Sequence, residues 1–122
     1  MKIAVTSLGE SPESPIDQRF GRARFFLLHD LDSGEWSSHD NRRSIEADQG
    51  AGVKAARRVV ELGAQAVITG HCGPAALAAL AAAGIDVFQE ASGSVQEALA
   101  ACRSGALKKS GRQDLGAGFG SV

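Results

Sequence analysis

From residue 50 to residue 103 the chain alternates three helix-like segments with two short apolar runs. "GAGVKAARRVVEL" (50–62) places Ala51, Ala55, Val59 and Leu62 at helical spacing, and Gly63 stops it. "AQAVITG" (64–70) is apolar almost throughout and reads as a buried strand. "GPAALAALAAAG" (73–84) opens with Pro74 in a first turn, where its missing N–H costs nothing, and ends at Gly84. "IDVF" (85–88) is the next buried strand, and "SVQEALAAC" (94–102) begins with Ser94 and Glu97 in the spacing of a capping box. Apolar strands joined through helices pair in parallel with right-handed crossovers, because no short turn can connect them. Such a sheet is covered by helices, and this fixes the class of fold.

The amino-terminal third adds an antiparallel part. "KIAVTS" (2–7) is a short β-branched run, while "RFFLLHD" (24–30) and the more polar "EWSSHDN" (35–41) flank the turn "LDSG" as a hairpin. The expected architecture is α/β: three α/β/α layers around a mixed five-stranded sheet, in the order β-β-β-α-β-α-β-α. A chain of 122 residues fits one domain with a single core. Residues 1–107 are expected to form it, and 108–122 a flexible tail, because the carboxyl-terminal stretch has no apolar period.

Composition narrows the partners. Hydrophobic residues make up 43% and charged residues 22%, as in an ordinary soluble domain. The net charge of −1 gives no global field for nucleic acid or a membrane surface, so any anion site must be local. No stretch reaches the roughly 20 apolar residues of a membrane span. Two cysteines are too few for a disulfide framework and fit a reducing cytoplasm.

If the hairpin leaves the first and third strands parallel to the fourth and fifth, their carboxyl ends share one sheet edge. Open α/β sheets bind ligands at such an edge. The loops 8–23, 41–50, 70–74 and 89–94 meet there and hold the unusual residues. The first brings Arg19, Arg22 and Arg24 around Phe20 and Gly21; the second brings Asn41, Arg42 and Arg43. The third brings Gly70, His71, Cys72 and Gly73 ahead of one helix, and the fourth Glu90, Ser92, Gly93 and Ser94 ahead of another. Guanidinium groups and free amides at helix starts favour an anion. Arg19, Phe20, Gly21, Arg22, Arg24, Asn41, Gly70, His71, Cys72, Gly73 and Ser92 are the candidate binding residues, with His71 and Cys72 as candidate metal ligands.

Other chemistries fit poorly. "GAGVKA" (50–55) imitates a dinucleotide fingerprint, but it follows a polar strand and the next strand ends without an acid. Two cysteines and scattered histidines do not make a closed zinc site; Cys102 falls at core spacing, and His29 and His39 lack partners. The first strand has no carboxylate for a two-metal nuclease. His71 and Cys72 are adjacent, and adjacent side chains diverge, so no catalytic dyad is expected and the chain reads as non-enzymatic. A Cys72-dependent enzyme acting on small molecules, and a regulatory or protein-interaction domain with a vestigial site, are the alternatives.

"KIAVTS", "IDQRFGRARFFLLHD", the glycine-alanine-glycine helix start and "VITGHCGPAALAALAAAGIDVF" together resemble the dinitrogenase iron–molybdenum cofactor biosynthesis family over residues 1–107. The pairing of FGRA near residue 20 with VITG-x-x-GP-x-A near residue 70 carries the resemblance. It implies a ribonuclease-H-like fold without nuclease chemistry. It also implies non-covalent carriage of an anionic molybdenum-containing metal–sulfur cluster, either a molybdenum–copper sulfide or an iron–molybdenum precursor, with cluster-assembly or acceptor proteins as partners. A lone domain without a set of iron–sulfur cysteines is closest to the small orange-protein branch of that family.

Overall fold

The computed structural model describes residues 1–46 and 49–110. In chain order it forms β1 (Lys2–Ser7), β2 (Phe25–Asp30), β3 (Trp36–Asp40), a one-turn α1 (Arg42–Ile45), α2 (Ala51–Glu61), β4 (Ala66–Ile68), α3 (Pro74–Ala82), β5 (Asp86–Gln89), α4 (Val95–Arg103) and β6 (Lys108–Ser110). One sheet runs β3-β2-β1-β4-β5-β6. β1 pairs antiparallel with β2 and β2 with β3, while β1–β4 and β4–β5 are parallel. β1, β3, β4 and β5 therefore end on one edge.

The expected sheet of five strands has six. Lys108–Ser110 pairs antiparallel with β5, Val87 facing Ser110. Those residues carry no apolar period because the strand sits at the sheet margin, held by backbone pairing and by Gln89, whose Nε2 donates to Ser110 Oγ at 3.0 Å. The rest of the expected tail, 111–122, lies outside the described residues, as do 47–48 and the side chain of Arg43. Helix α1 is also new, a single turn at Arg42–Ile45.

Alternation along each strand divides the core in two. Ala4, Phe26, Leu28, Val67 and Val87 face Ala55, Ala56 and Val59 of α2 and Ala76 and Leu80 of α3. Ile3, Val5, Leu27, Ala66 and Ile68 face Val95, Ala98 and Leu99 of α4. Helices α2 and α3 can lie close because Gly52 meets Ala76: a Cβ on Gly52 would stand 3.1 Å from that of Ala76.

Candidate functional site

The loop 8–23 is fastened along the shared strand edge by its own backbone. Leu8 N donates to Pro15 O, Asp17 N to Thr6 O, and Ile16 N to Gly93 O, each at 3.0 Å. Under it, the Thr6 hydroxyl donates to the Asp17 carbonyl at 2.7 Å and lies 2.9 Å from the Thr69 hydroxyl, joining the ends of β1 and β4. Asp17 is 2% exposed, and its carboxylate accepts from the backbone N–H groups of Arg19 and Arg24, both at 3.1 Å. One buried acid thus closes "DQRFGRAR" into a loop of set shape.

The tip of that loop runs beside the chain leaving β4. His71 N donates to Gln18 O at 2.7 Å and Phe20 N donates to His71 O at 3.0 Å, a parallel bridge that sets Arg19 against His71. Residues in register present side chains to the same side, and the next pair faces the other way. Arg19 and His71 accordingly stand exposed together at the rim, while Phe20 and Cys72 turn inward. Phe20 is 1% and Cys72 2% exposed; both belong to the α2–α3 core, where Phe20 packs on Phe26 at 5.5 Å between ring centroids. Burial pushes the Cys72 thiol up to about 12, so it is a neutral hydrophobe at neutral pH.

The other candidates divide by similar logic. Asn41 is buried and ties the loop down, donating through Nδ2 to the carbonyls of Gly21 at 3.3 Å and Ala23 at 3.0 Å. Arg22 is exposed and donates through Nη1 to the Ile45 carbonyl at 2.6 Å, anchoring the loop to α1. Arg24 and Ser92 are exposed. Arg19 Nε lies 3.3 Å from Asp17 Oδ1, yet its side chain remains 63% exposed. Gly21 sits against the start of α2, where a Cβ would come 3.0 Å from the backbone of Gly52. Gly70 is required because Gln18 crosses over it, its Cα 2.7 Å from where a Cβ would be. Gly73 is different. Its φ of −70° and ψ of 167° suit any residue, and a Cβ there would meet nothing within 4 Å.

The helix starts at this edge also sort themselves. α4 was expected to offer free amides, but its first turn is closed. Val95 N and Gln96 N donate to Ser14 O and Pro12 O at 2.9 Å, and Ser94 and Glu97 complete the capping box. α2 and α3, begun by Gly50 and Gly73, have no side-chain cap. Among the described residues the anion-favouring helix starts are therefore those of α2 and α3, which converge on Gly21, Gly52 and Ala76. The sequence placed the loop 41–50 at this edge but gave Gly50, which begins α2, no side chain to mark its amides as a site. Sequence reading missed Gln89, whose Oε1 accepts from Cys72 N at 2.7 Å; Glu90, placed at this edge by the sequence, is held at φ 65° with its N–H on the Gly70 carbonyl at 2.8 Å. A polar residue closing "IDVF" was the visible signal for Gln89; nothing in the sequence marks the backbone of Glu90.

Among the described residues no group of three or more His, Cys, Asp or Glu side chains could hold a metal ion, and no helix is long and apolar enough to cross a membrane. What the rim offers is positive charge and backbone N–H.

The family profile described as dinitrogenase iron–molybdenum cofactor matches residues 1–105. No curated protein sequence matches the chain. Among solved structures, the apo form of the orange protein from Desulfovibrio gigas is 35% identical, with a TM-score of 0.87 over 89% of this chain and 92% of that one. A NifB candidate from Thermotoga is 32% identical, with a TM-score of 0.78 over 88% and 91% of the two chains. A dinitrogenase candidate from Methanocaldococcus jannaschii, 16% identical with a TM-score of 0.61 over 90% and 94%, shares the fold. With the profile covering residues 1–105 and two solved structures more than 30% identical over about nine-tenths of the chain, the protein is a member of the dinitrogenase iron–molybdenum cofactor family.

Proposed function

We propose that this protein is a non-enzymatic carrier that binds an anionic molybdenum-containing metal–sulfur cluster as cargo at the rim formed by Arg19, His71 and the Gly73 helix start. The observation that carries the reading is the pairing of Arg19 with His71 beside an uncapped glycine that the fold does not demand. A glycine without steric need at a helix start leaves its amides open to a large anion. Arg22 and Arg24 extend the positive rim, and Ser92 adds a hydroxyl. Phe20, Gly21, Asn41 and Gly70 act beneath it, holding the loop rather than touching cargo. Cys72, buried in the α2–α3 core, is out of position for the first bond to a metal. His71, exposed, keeps the capacity for one contact, since imidazole suits several metals. The molybdenum–copper sulfide is the favoured cargo, on likeness to the orange protein, and an iron–molybdenum precursor the second.

The ribonuclease-H-like reading of the fold draws support from the strand order with helices on both faces. Two free thiols support a reducing, cytoplasmic setting. Reconstitution of the apo-protein with tetrathiomolybdate and copper(I) without oxygen, followed by desalting, tests the carrier reading. Retained molybdenum and a visible absorption band are expected; colourless, metal-free protein sinks it.

A further inference from the structure

A polar cleft adjoins the rim loop, between the end of β3, α1 and the outer side of α2, with a volume of about 620 Å³. Its α2 wall carries Lys54, Arg57 and Arg58, at helical spacings of three and four residues, and its ends carry the carboxylates of Asp40 and Glu61. Asn41 and Ser44, both 3% exposed, form the floor, and every described residue lining the cleft is polar or charged. Five charged groups among the described residues thus border one cavity. Among the described residues none of them is within ion-pair distance of another, and the three cations donate no side-chain hydrogen bond. Opposite charges that merely decorate a surface are free to close on one another. Here they stand apart, around a space.

We propose that this cleft binds a phosphate ester of a polyhydroxylated small molecule, independently of the cargo rim. Guanidinium groups take phosphate in a bidentate fashion, and the lysine ammonium adds a point charge. Carboxylates repel a bare phosphate but accept hydrogen bonds from hydroxyl groups, so Asp40 and Glu61 select an ester carrying hydroxyls over an inorganic anion. Lys54 and Glu61 are seven residues apart, about 10 Å along the helix, the length of a sugar phosphate rather than of a lone ion. The volume falls in the range of small-molecule sites. Asn41 joins this floor to the rim loop through its bonds to Gly21 and Ala23.

Calorimetric titration of the apo-protein with ribose 5-phosphate, and separately with pyrophosphate, tests the assignment. Ribose 5-phosphate is expected to bind, and Arg57→Gln with Arg58→Gln to weaken it about tenfold or more, the loss of one charge-assisted pair or two. Glu61→Gln is expected to weaken the ester while strengthening pyrophosphate. Arg19→Gln is expected to leave both unchanged, and the Arg57/Arg58 variant to retain reconstituted molybdenum, so that failure here is separable from failure of the carrier reading. Absence of ester binding, ester binding indifferent to Arg57 and Arg58 in variants whose circular dichroism is native, or pyrophosphate bound as tightly as the ester would each overturn the proposal.

Discussion

Phe20 and Cys72 lie one residue from Arg19 and His71, and that single step decides their chemistry. In a parallel bridge the alternation of side chains is strict, so whatever exposes Arg19 and His71 must bury the next pair. A thiol pushed up to about 12 should react slowly: at pH 8 native Cys72 is expected to resist alkylation that goes to completion in urea. Rapid labelling of Cys72 in the native protein would restore the cysteine-dependent enzyme as a contender. Asp17 shows the opposite economy, a buried charge retained because two backbone donors need it. Asp17→Ala is expected to destabilise by about 3 kcal/mol, read from the urea midpoint, because it strands the N–H groups of Arg19 and Arg24. In the sequence Asp17 is an acid two residues ahead of an arginine. Its role as the clasp of the loop depends on both carboxylate oxygens being used, and residue order does not disclose that. In the same way "HC" reads as two ligands side by side until the bridge to residue 19 separates them.

Among the helices, capping separates those closed by protein from those left open. The Ser94–Glu97 box was legible as a spacing, and the structure bears it out, with Glu97 N donating to Ser94 Oγ at 3.1 Å and Ser94 N to Glu97 Oε1 at 2.9 Å. What spacing could not reveal is that the loop 8–16 covers the same turn, so this helix start has nothing left for an anion. Ser94→Ala is therefore expected to cost about 1 kcal/mol of stability and to leave cargo retention untouched. Gly73→Ala should do the reverse. With no clash and an ordinary φ, it is expected to keep native stability while its methyl obstructs cargo, lowering retained molybdenum. The strands of the parallel core were readable because "AVI" is buried on both faces and "DVF" carries apolar Val87 and Phe88 side by side. β6 was not, since "KKS" at the sheet margin takes its pairing from β5 and not from apolar residues of its own.

At the scale of the whole molecule, charge and pH enter through the histidines. His29 is 7% exposed, stacks on Trp36 at 4.3 Å between centroids, and leaves Nδ1 without a hydrogen-bond partner. Burial, and then Arg103, hold it below the usual histidine value of 6.5; burial and Arg58 do the same for His39. The unfolded chain thus binds protons more readily, so stability is full above about pH 6.5 and declines as pH falls through that value. A lower urea midpoint at pH 5.5 than at pH 7.5 is expected, with His29→Leu flattening the difference. An unchanged midpoint would mean that the folded histidines take protons as easily as the unfolded ones. The overall layout, helices on both faces and four loops at one edge, followed from the alternation of apolar runs with helical ones. The division of that edge into a rim, a clasp and a closed helix start did not, because each rests on backbone hydrogen bonds between segments far apart in the chain.

The most direct test is molybdenum retained per protein after anaerobic reconstitution with tetrathiomolybdate and copper(I) and desalting, compared across three proteins. If charge and backbone N–H hold the cargo, the native protein and Cys72→Ala are expected to retain equal amounts, and Arg19→Gln with Arg22→Gln to lose most of it. Loss of molybdenum from Cys72→Ala with full retention in the arginine variant would contradict the account.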